Sequence, residues 1–173
     1  KKAGERQDAI VLATASVYTR GVARELRPYV KTGQLLVCVA KGIEEKSLLF
    51  QTDEVQEEIP DAVVACLSGP SHAEEVARRL PTTCVAGAAD SAVAEQVQAL
   101  FMNRVFRVYT STDVKGIELG GAVKNVIALA AGIADGLGYG DNTKAALITR
   151  GIAETARLGV KLGAHWETFA GLT

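Results

Sequence analysis

The sequence is short of the residues that most often announce chemistry. It has two histidines, His72 and His165, in 173 residues. Neither has a Ser/Asp or Cys partner at a recognisable spacing, which argues against a histidine-based triad or a zinc site. The three cysteines, Cys38, Cys66 and Cys84, each lie inside an apolar run, far apart and without metal-ligand spacing. They read as buried free thiols of a reducing compartment, and no metal is expected. An excess of one charge is also missing: 19 Lys and Arg stand against 20 Asp and Glu, a net charge of -1. No global basic field exists to hold nucleic acid or an anionic membrane, so any anion site must be local. The longest unbroken apolar run, residues 126–134, is too short to span a bilayer. No signal-type segment is read at the amino terminus. We therefore expect a soluble cytoplasmic protein that binds no nucleic acid and does not insert into membranes.

What is present is a chain 48% hydrophobic and 23% charged, enough for one substantial core or two small ones. Up to residue 112, short β-type runs (9–14, 35–40, 62–67, 82–86 and 105–109) alternate with helix-compatible stretches (17–31, 48–59, 71–79 and 91–103). That alternation predicts an α/β fold, a parallel sheet covered by helices. Segments 35–40 and 62–67 are apolar at every position, which suits strands buried on both faces. Beyond residue 112 the β-branched runs give way to an Ala, Gly and Leu-rich stretch, 114–138, and then 143–162. These predict a second, helical domain, so the expected division is 1–112 and 113–173. Residues 1–8 lead straight into a buried strand, and the chain stops just after a helix and a turn. We expect an interior portion of a longer protein.

An open parallel sheet binds ligands beyond the carboxyl ends of its strands, which directs attention to four segments. After the first strand, Tyr18 could lie flat against a cofactor ring or simply cover a helix end. After the second, Lys41-Gly42-Ile43-Glu44 offers a compact ammonium suited to a phosphate or a polarised carbonyl, with Gly42 allowing a sharp turn behind it. After the third comes Ser68-Gly69-Pro70-Ser71-His72-Ala73-Glu74-Glu75. Gly69 permits close approach of a ligand, and Ser71 is expected to cap a helix with Glu74 and Glu75 in its first turn. In the fourth, Lys124 and Asn125 interrupt an otherwise apolar helix behind Gly120 and Gly121. A lysine in such surroundings either snorkels outward along its stem or is desolvated, with its pKa lowered toward neutrality so that it can exchange a proton.

Taken in order, KGIEE, LSGPSHAEEVARRLPT, FRVYTSTDVKGIELGGAVKNVIALAAGIADGLGYGDNTKAALITRGIAE and the closing ETFAGLT strongly resemble the bacterial NAD(P)-dependent glycerol-3-phosphate dehydrogenases. The resemblance covers essentially the whole chain. It implies a Rossmann-like sheet followed by an all-helical substrate domain. It also implies reversible hydride transfer between NAD(P)H and dihydroxyacetone phosphate, giving sn-glycerol 3-phosphate for phospholipid synthesis. Lys124 matches the family's proton donor and acceptor, with Asn125 beside it at the substrate. Lys41 matches a lysine shared by cofactor and substrate, Gly69 and Ser71 match substrate-binding positions, and Ala73 and Tyr18 match positions near the cofactor. Relatives are commonly homodimers. The family's amino-terminal Gly-x-Gly-x-x-Gly loop and a later Ser-Arg-Asn segment are missing here, and Ala15 stands where proline is usual. The choice between NAD and NADP is made in the missing amino-terminal part. Two alternatives remain at this point: a noncatalytic assembly module, and a hydroxy-acid dehydrogenase, against which the GPSHAEEV turn argues.

Overall fold

The computed structural model describes residues 8–171. Its elements are β1 (Ala9–Leu12), α1 (Thr19–Leu26), β2 (Leu35–Cys38), α2 (Gln51–Glu58), β3 (Val63–Ser68), α3 (Ala73–Ala77), β4 (Thr82–Gly87), α4 (Ser91–Phe101), β5 (Phe106–Ser111), α5 (Val114–Gly136), α6 (Asp141–Lys161) and α7 (Trp166–Phe169). Single 3-10 turns, Ser16–Tyr18 and Arg27–Tyr29, flank α1. Every strand expected from the sequence is present, each within a residue or two of its expected ends.

The five strands lie in the order β1-β2-β3-β4-β5. β1, β2 and β3 are mutually parallel, and β4 and β5 are parallel to each other. The two groups meet antiparallel, with Cys66 opposite Gly87 and Ser68 opposite Val85. The sheet is therefore mixed, which corrects the expectation of an all-parallel one. The reason lies in the connection from β3 to β4. A parallel return needs an element that crosses a face of the sheet, but α3 is five residues long and buries none of them. By contrast α4, which links the parallel pair β4 and β5, buries Ala94 and Val97 against the sheet.

The alternation along β2 explains its unbroken apolarity. Leu35 and Val37 join one core with Ala65, Leu67, Ala86 and Val108. Leu36 and Cys38 face the other way, into a core with Leu12, Ala23, Val55 and Ile59. Successive strand residues point to opposite faces, so a strand covered on both sides must be apolar throughout. All three cysteines are free and buried, as expected, and burial pushes the Cys38 thiol well above its ordinary pKa.

α5 joins the sheet to the helical portion. Asp113 begins it, its Oδ1 accepting from the Gly116 N–H at 3.1 Å. The other carboxylate oxygen accepts from the His165 N–H at 2.9 Å and the Thr168 hydroxyl at 2.5 Å, so one side chain fastens both α5 and the approach to α7. Ile117 then packs on Cys66 and Val85. Gly87 makes room for it, since a Cβ there would lie 2.7 Å from both the Ile117 Cδ1 and the Cys66 Sγ. By length and composition α5 is the one helix among the described residues that could cross a membrane, which no unbroken apolar run suggested. Here its first part, including Gly116 to Gly121, is core. Farther along, Val126, Leu129, Ile133 and Leu137 are exposed.

Candidate functional site

The loops that follow β2 and β3 converge with the middle of α5, and the loop after β1 lies against the turn after β2 at Gly42. The turn after β2 is built by interactions that the sequence did not announce. Gly42 has φ +154°, and a Cβ on it would meet the Ser16 side chain at 2.9 Å, so the first two loops touch at this glycine. Two residues on, Glu44 is held by Arg20 of α1 through paired contacts, Nε to Oε1 at 2.6 Å and Nη2 to Oε2 at 2.7 Å. Arg20 also reaches Glu57 and Glu58 of α2. The Arg20 guanidinium holds the Glu44 carboxyl down at about 2, so this clamp on the Lys41 loop persists through the neutral range.

A cleft of about 250 Å³ opens beside that loop, lined by Lys41, Ser68, Gly69, Pro70, Gly121 and Lys124 among others. The Lys41 Nζ donates to the Ser71 hydroxyl at 3.4 Å, and Ser71 donates in turn to the Gly69 carbonyl at 3.3 Å. This corrects the expected role of Ser71 as a helix cap. His72 occupies the N-cap of α3 without a capping side-chain bond, and the Ser71 hydroxyl is turned toward Lys41 instead. Burial lowers the Lys41 pKa, and the positive charge of Lys124 lowers it further. Like charges brought together in this way favour an anion between or beside them.

Lys124 itself is exposed, its Nζ donating to the Asn125 Oδ1 at 3.3 Å. Of the two arrangements open to Lys124, the side chain lies outward among the described residues, with Val126, Ala128 and Leu129 beside it on α5 also uncovered. Lys124 stands between the cleft and an apolar groove of about 240 Å³ along α5 and α6, which also touches Ile127, Ile148, Ile152 and Phe169. Tyr18 and Ala73, the other residues singled out in the sequence, are exposed and do not line the cleft.

Close approach of α5 to the sheet makes the cleft possible. A Cβ at Gly121 would lie 2.8 Å from the Ser68 Oγ and 3.5 Å from the Lys41 Cγ. One turn earlier, Glu118 points away from the cleft to the start of α2. Its carboxylate accepts the Thr52 backbone N–H at 3.1 Å and, at shorter range, the Thr52 hydroxyl. It thereby caps another helix from across the interface. Burial raises its pKa to about 7 from an ordinary 4.5, with Asp53 adding to the rise against the pull of Thr52. The folded state then holds this proton more tightly than the unfolded chain does. The Glu118 contribution to stability accordingly falls as pH rises from about 4.5 to 7. In urea titrations of the chain, Glu118→Gln should flatten that slope by on the order of 2–3 kcal/mol relative to the parent protein. Parallel pH profiles for the two proteins would contradict it.

Among the described residues, two buried side-chain polar atoms have no hydrogen-bond partner, the Thr14 Oγ1 and the Ser68 Oγ. Thr14 follows β1 and Ser68 ends β3. Both therefore sit where an open sheet receives ligands. The sequence drew attention to both loops but assigned these hydroxyls nothing. No group of three or more potential metal ligands occurs among the described residues.

A family model described as the N-terminus of NAD-dependent glycerol-3-phosphate dehydrogenase matches residues 1–94, and its C-terminal counterpart matches residues 113–173. The chain belongs to the NAD-dependent glycerol-3-phosphate dehydrogenase family. A glycerol-3-phosphate dehydrogenase [NAD(P)+] from Agathobacter rectalis is 64% identical over 169 residues, covering 98% of this chain and 50% of that protein. The protein of that name from Bacillus subtilis is 52% identical, with 100% and 51% covered. The solved glycerol-3-phosphate dehydrogenase of Coxiella burnetii superposes with a TM-score of 0.88 at 35% identity, over 95% of this chain and 50% of that one. The chain thus spans about half the length of the curated relatives it matches. Within the glycerol-3-phosphate dehydrogenase family the first matched portion takes in β1 to β4 and the second the helices from α5 onward, with β5 between them.

Proposed function

We propose that this chain supplies the sheet-side half of the catalytic cleft of an NAD(P)-dependent oxidoreductase that interconverts dihydroxyacetone phosphate and sn-glycerol 3-phosphate. The observation that carries this reading is the meeting of Lys41, from the sheet, and Lys124, from α5, in one small cleft over the Gly69–Ser71 turn. In this reading residues 1–112 belong to the cofactor domain and 113–173 to the substrate domain. NAD or NADP supplies or accepts the hydride. The unpaired Thr14 hydroxyl and the open loop ends beside it suit a polar ligand, and Tyr18, Lys41 and Ala73 are assigned to the cofactor. Lys41, Gly69, Ser71, Lys124 and Asn125 are assigned to the substrate.

The proton chemistry falls to Lys124. During reduction it donates a proton from Nζ to the oxygen that develops negative charge at the substrate's central carbon, and during oxidation it takes that proton back. Asn125, hydrogen-bonded to Nζ, orients the ammonium. Lys41, tethered through Ser71 to the Gly69 carbonyl, adds a second fixed positive charge to balance the substrate's anion. Cytoplasmic residence, assembly as a homodimer and a role in phospholipid synthesis belong to the same proposal, on the strength of the family likeness.

The test is a chimera in which this chain replaces the matching half of the Agathobacter rectalis protein. It should oxidise NADH or NADPH with dihydroxyacetone phosphate at least about 100-fold more efficiently than with small 2-keto acids, because a site that balances a phosphate penalises substrates lacking one. Equal or greater turnover of keto acids would favour a hydroxy-acid dehydrogenase. Absence of turnover with every substrate would favour a noncatalytic module.

A further inference from the structure

The Ser68 hydroxyl is the polar group in the cleft that the fold itself leaves unused. Ser68 is 5% exposed at the carboxyl end of β3, and its Oγ is buried without a hydrogen-bond partner. It lines the cleft together with Lys41, Gly69, Gly121 and Lys124. At Gly121 α5 approaches this oxygen so closely that a Cβ there would lie 2.8 Å from it. A buried hydroxyl with no partner is destabilising, and such groups in folded proteins are nearly always satisfied by something. A helix brought close by a glycine, over a hydroxyl that nothing in the fold employs, fits a ligand-binding role.

Resting on the reading above, we propose that Ser68 hydrogen-bonds an uncharged oxygen of the three-carbon substrate, carbonyl or hydroxyl, and so fixes its orientation between Lys41 and Lys124. The two lysines answer the anion. Ser68 can donate or accept, so it can serve an oxygen of either kind. Thr14, the other unpaired hydroxyl, does not line this cleft, whereas Ser68 lies in it beside Gly69 and Lys124, both assigned to the substrate.

The proposal separates a ligand-serving hydroxyl from a structural one, because the two respond oppositely to Ser68→Ala. In the chain on its own, urea unfolding should give Ser68→Ala a midpoint equal to or above that of the parent protein, since an unsatisfied buried group is removed. In the chimera the same substitution should raise the KM for dihydroxyacetone phosphate about tenfold. The KM for NADH should stay within about twofold, and Ser68→Thr should retain most of the affinity. Hydroxyacetone phosphate, which lacks the primary hydroxyl, identifies the oxygen concerned. If Ser68→Ala no longer distinguishes it from dihydroxyacetone phosphate, the partner is the hydroxyl; if the discrimination is unchanged, the partner is the carbonyl. A lowered urea midpoint would make the hydroxyl structural, and an unchanged KM for dihydroxyacetone phosphate would leave it holding only solvent. Either result overturns the proposal while an active parent chimera keeps the dehydrogenase reading. An inactive parent chimera ends both.

Discussion

Lys124→Ala in the chimera should lower kcat for dihydroxyacetone phosphate reduction by about 10²–10⁴-fold, the usual worth of a positioned general acid. The KM for NADH should change little, because in the proposed reading the lost group acts on the substrate's oxygen. The fold should also survive, since Lys124 is exposed and its side-chain bond goes to the neighbouring Asn125. Circular dichroism and urea midpoints equal to those of the parent protein would separate chemistry from unfolding. By comparison, Lys41→Met should act chiefly through the KM values for substrate and cofactor, because the proposed reading assigns Lys41 to both and gives it no part in the proton transfer. Together the two substitutions distinguish the roles of two lysines that share a cleft.

The second large effect concerns stability. Asp113→Ala removes one carboxylate that accepts from the Gly116 N–H, the His165 N–H and the Thr168 hydroxyl. The loss of a helix cap and of charge-assisted bonds in a buried setting should cost about 2–4 kcal/mol, read as a lowered urea midpoint. Burial alone would raise the Asp113 pKa, but the Thr168 hydroxyl and the two backbone N–H groups outweigh it, and the pKa is lowered. The stabilisation is therefore present above the ordinary aspartate range and is lost as pH falls through the depressed folded value. The deficit of Asp113→Ala relative to the parent protein should be full near neutrality and shrink in acid. A constant deficit across that range would contradict the charged cap.

The strands were legible in the sequence as short apolar, β-branched runs between polar stretches, and the long helices as Ala, Gly and Leu-rich segments with no strand signal between them. β2 and β3 announced burial on both sides by being apolar at every position, and the sheet delivers it. The direction of β4 was not legible, because strand polarity depends on whether the intervening segment covers the sheet. α3 is too short and too exposed to do so, a property of packing and not of composition. The site was legible where a charged or small residue interrupted a pattern, as at Lys41, Gly69 and Lys124. Groups whose importance comes only from a distant partner were missed. Glu118 looked like an ordinary helical glutamate until Thr52 was placed against it, and Glu44 until Arg20 reached it. Asp113 had the residue type of an N-cap, but nothing local signalled its second attachment to His165 and Thr168. Lys124 illustrates the converse, since an apolar sequence context suggested burial that the described residues do not provide.

The most direct test of Lys124 as the proton donor is chemical rescue of the Lys124→Ala chimera by added primary amines, with NADH oxidation by dihydroxyacetone phosphate as the readout. Amines small enough to occupy the vacated space should restore a saturable part of the lost turnover, with rates that follow the amine's pKa. Turnover of Lys124→Ala close to that of the parent chimera, or a large loss that no amine relieves, would contradict the assignment.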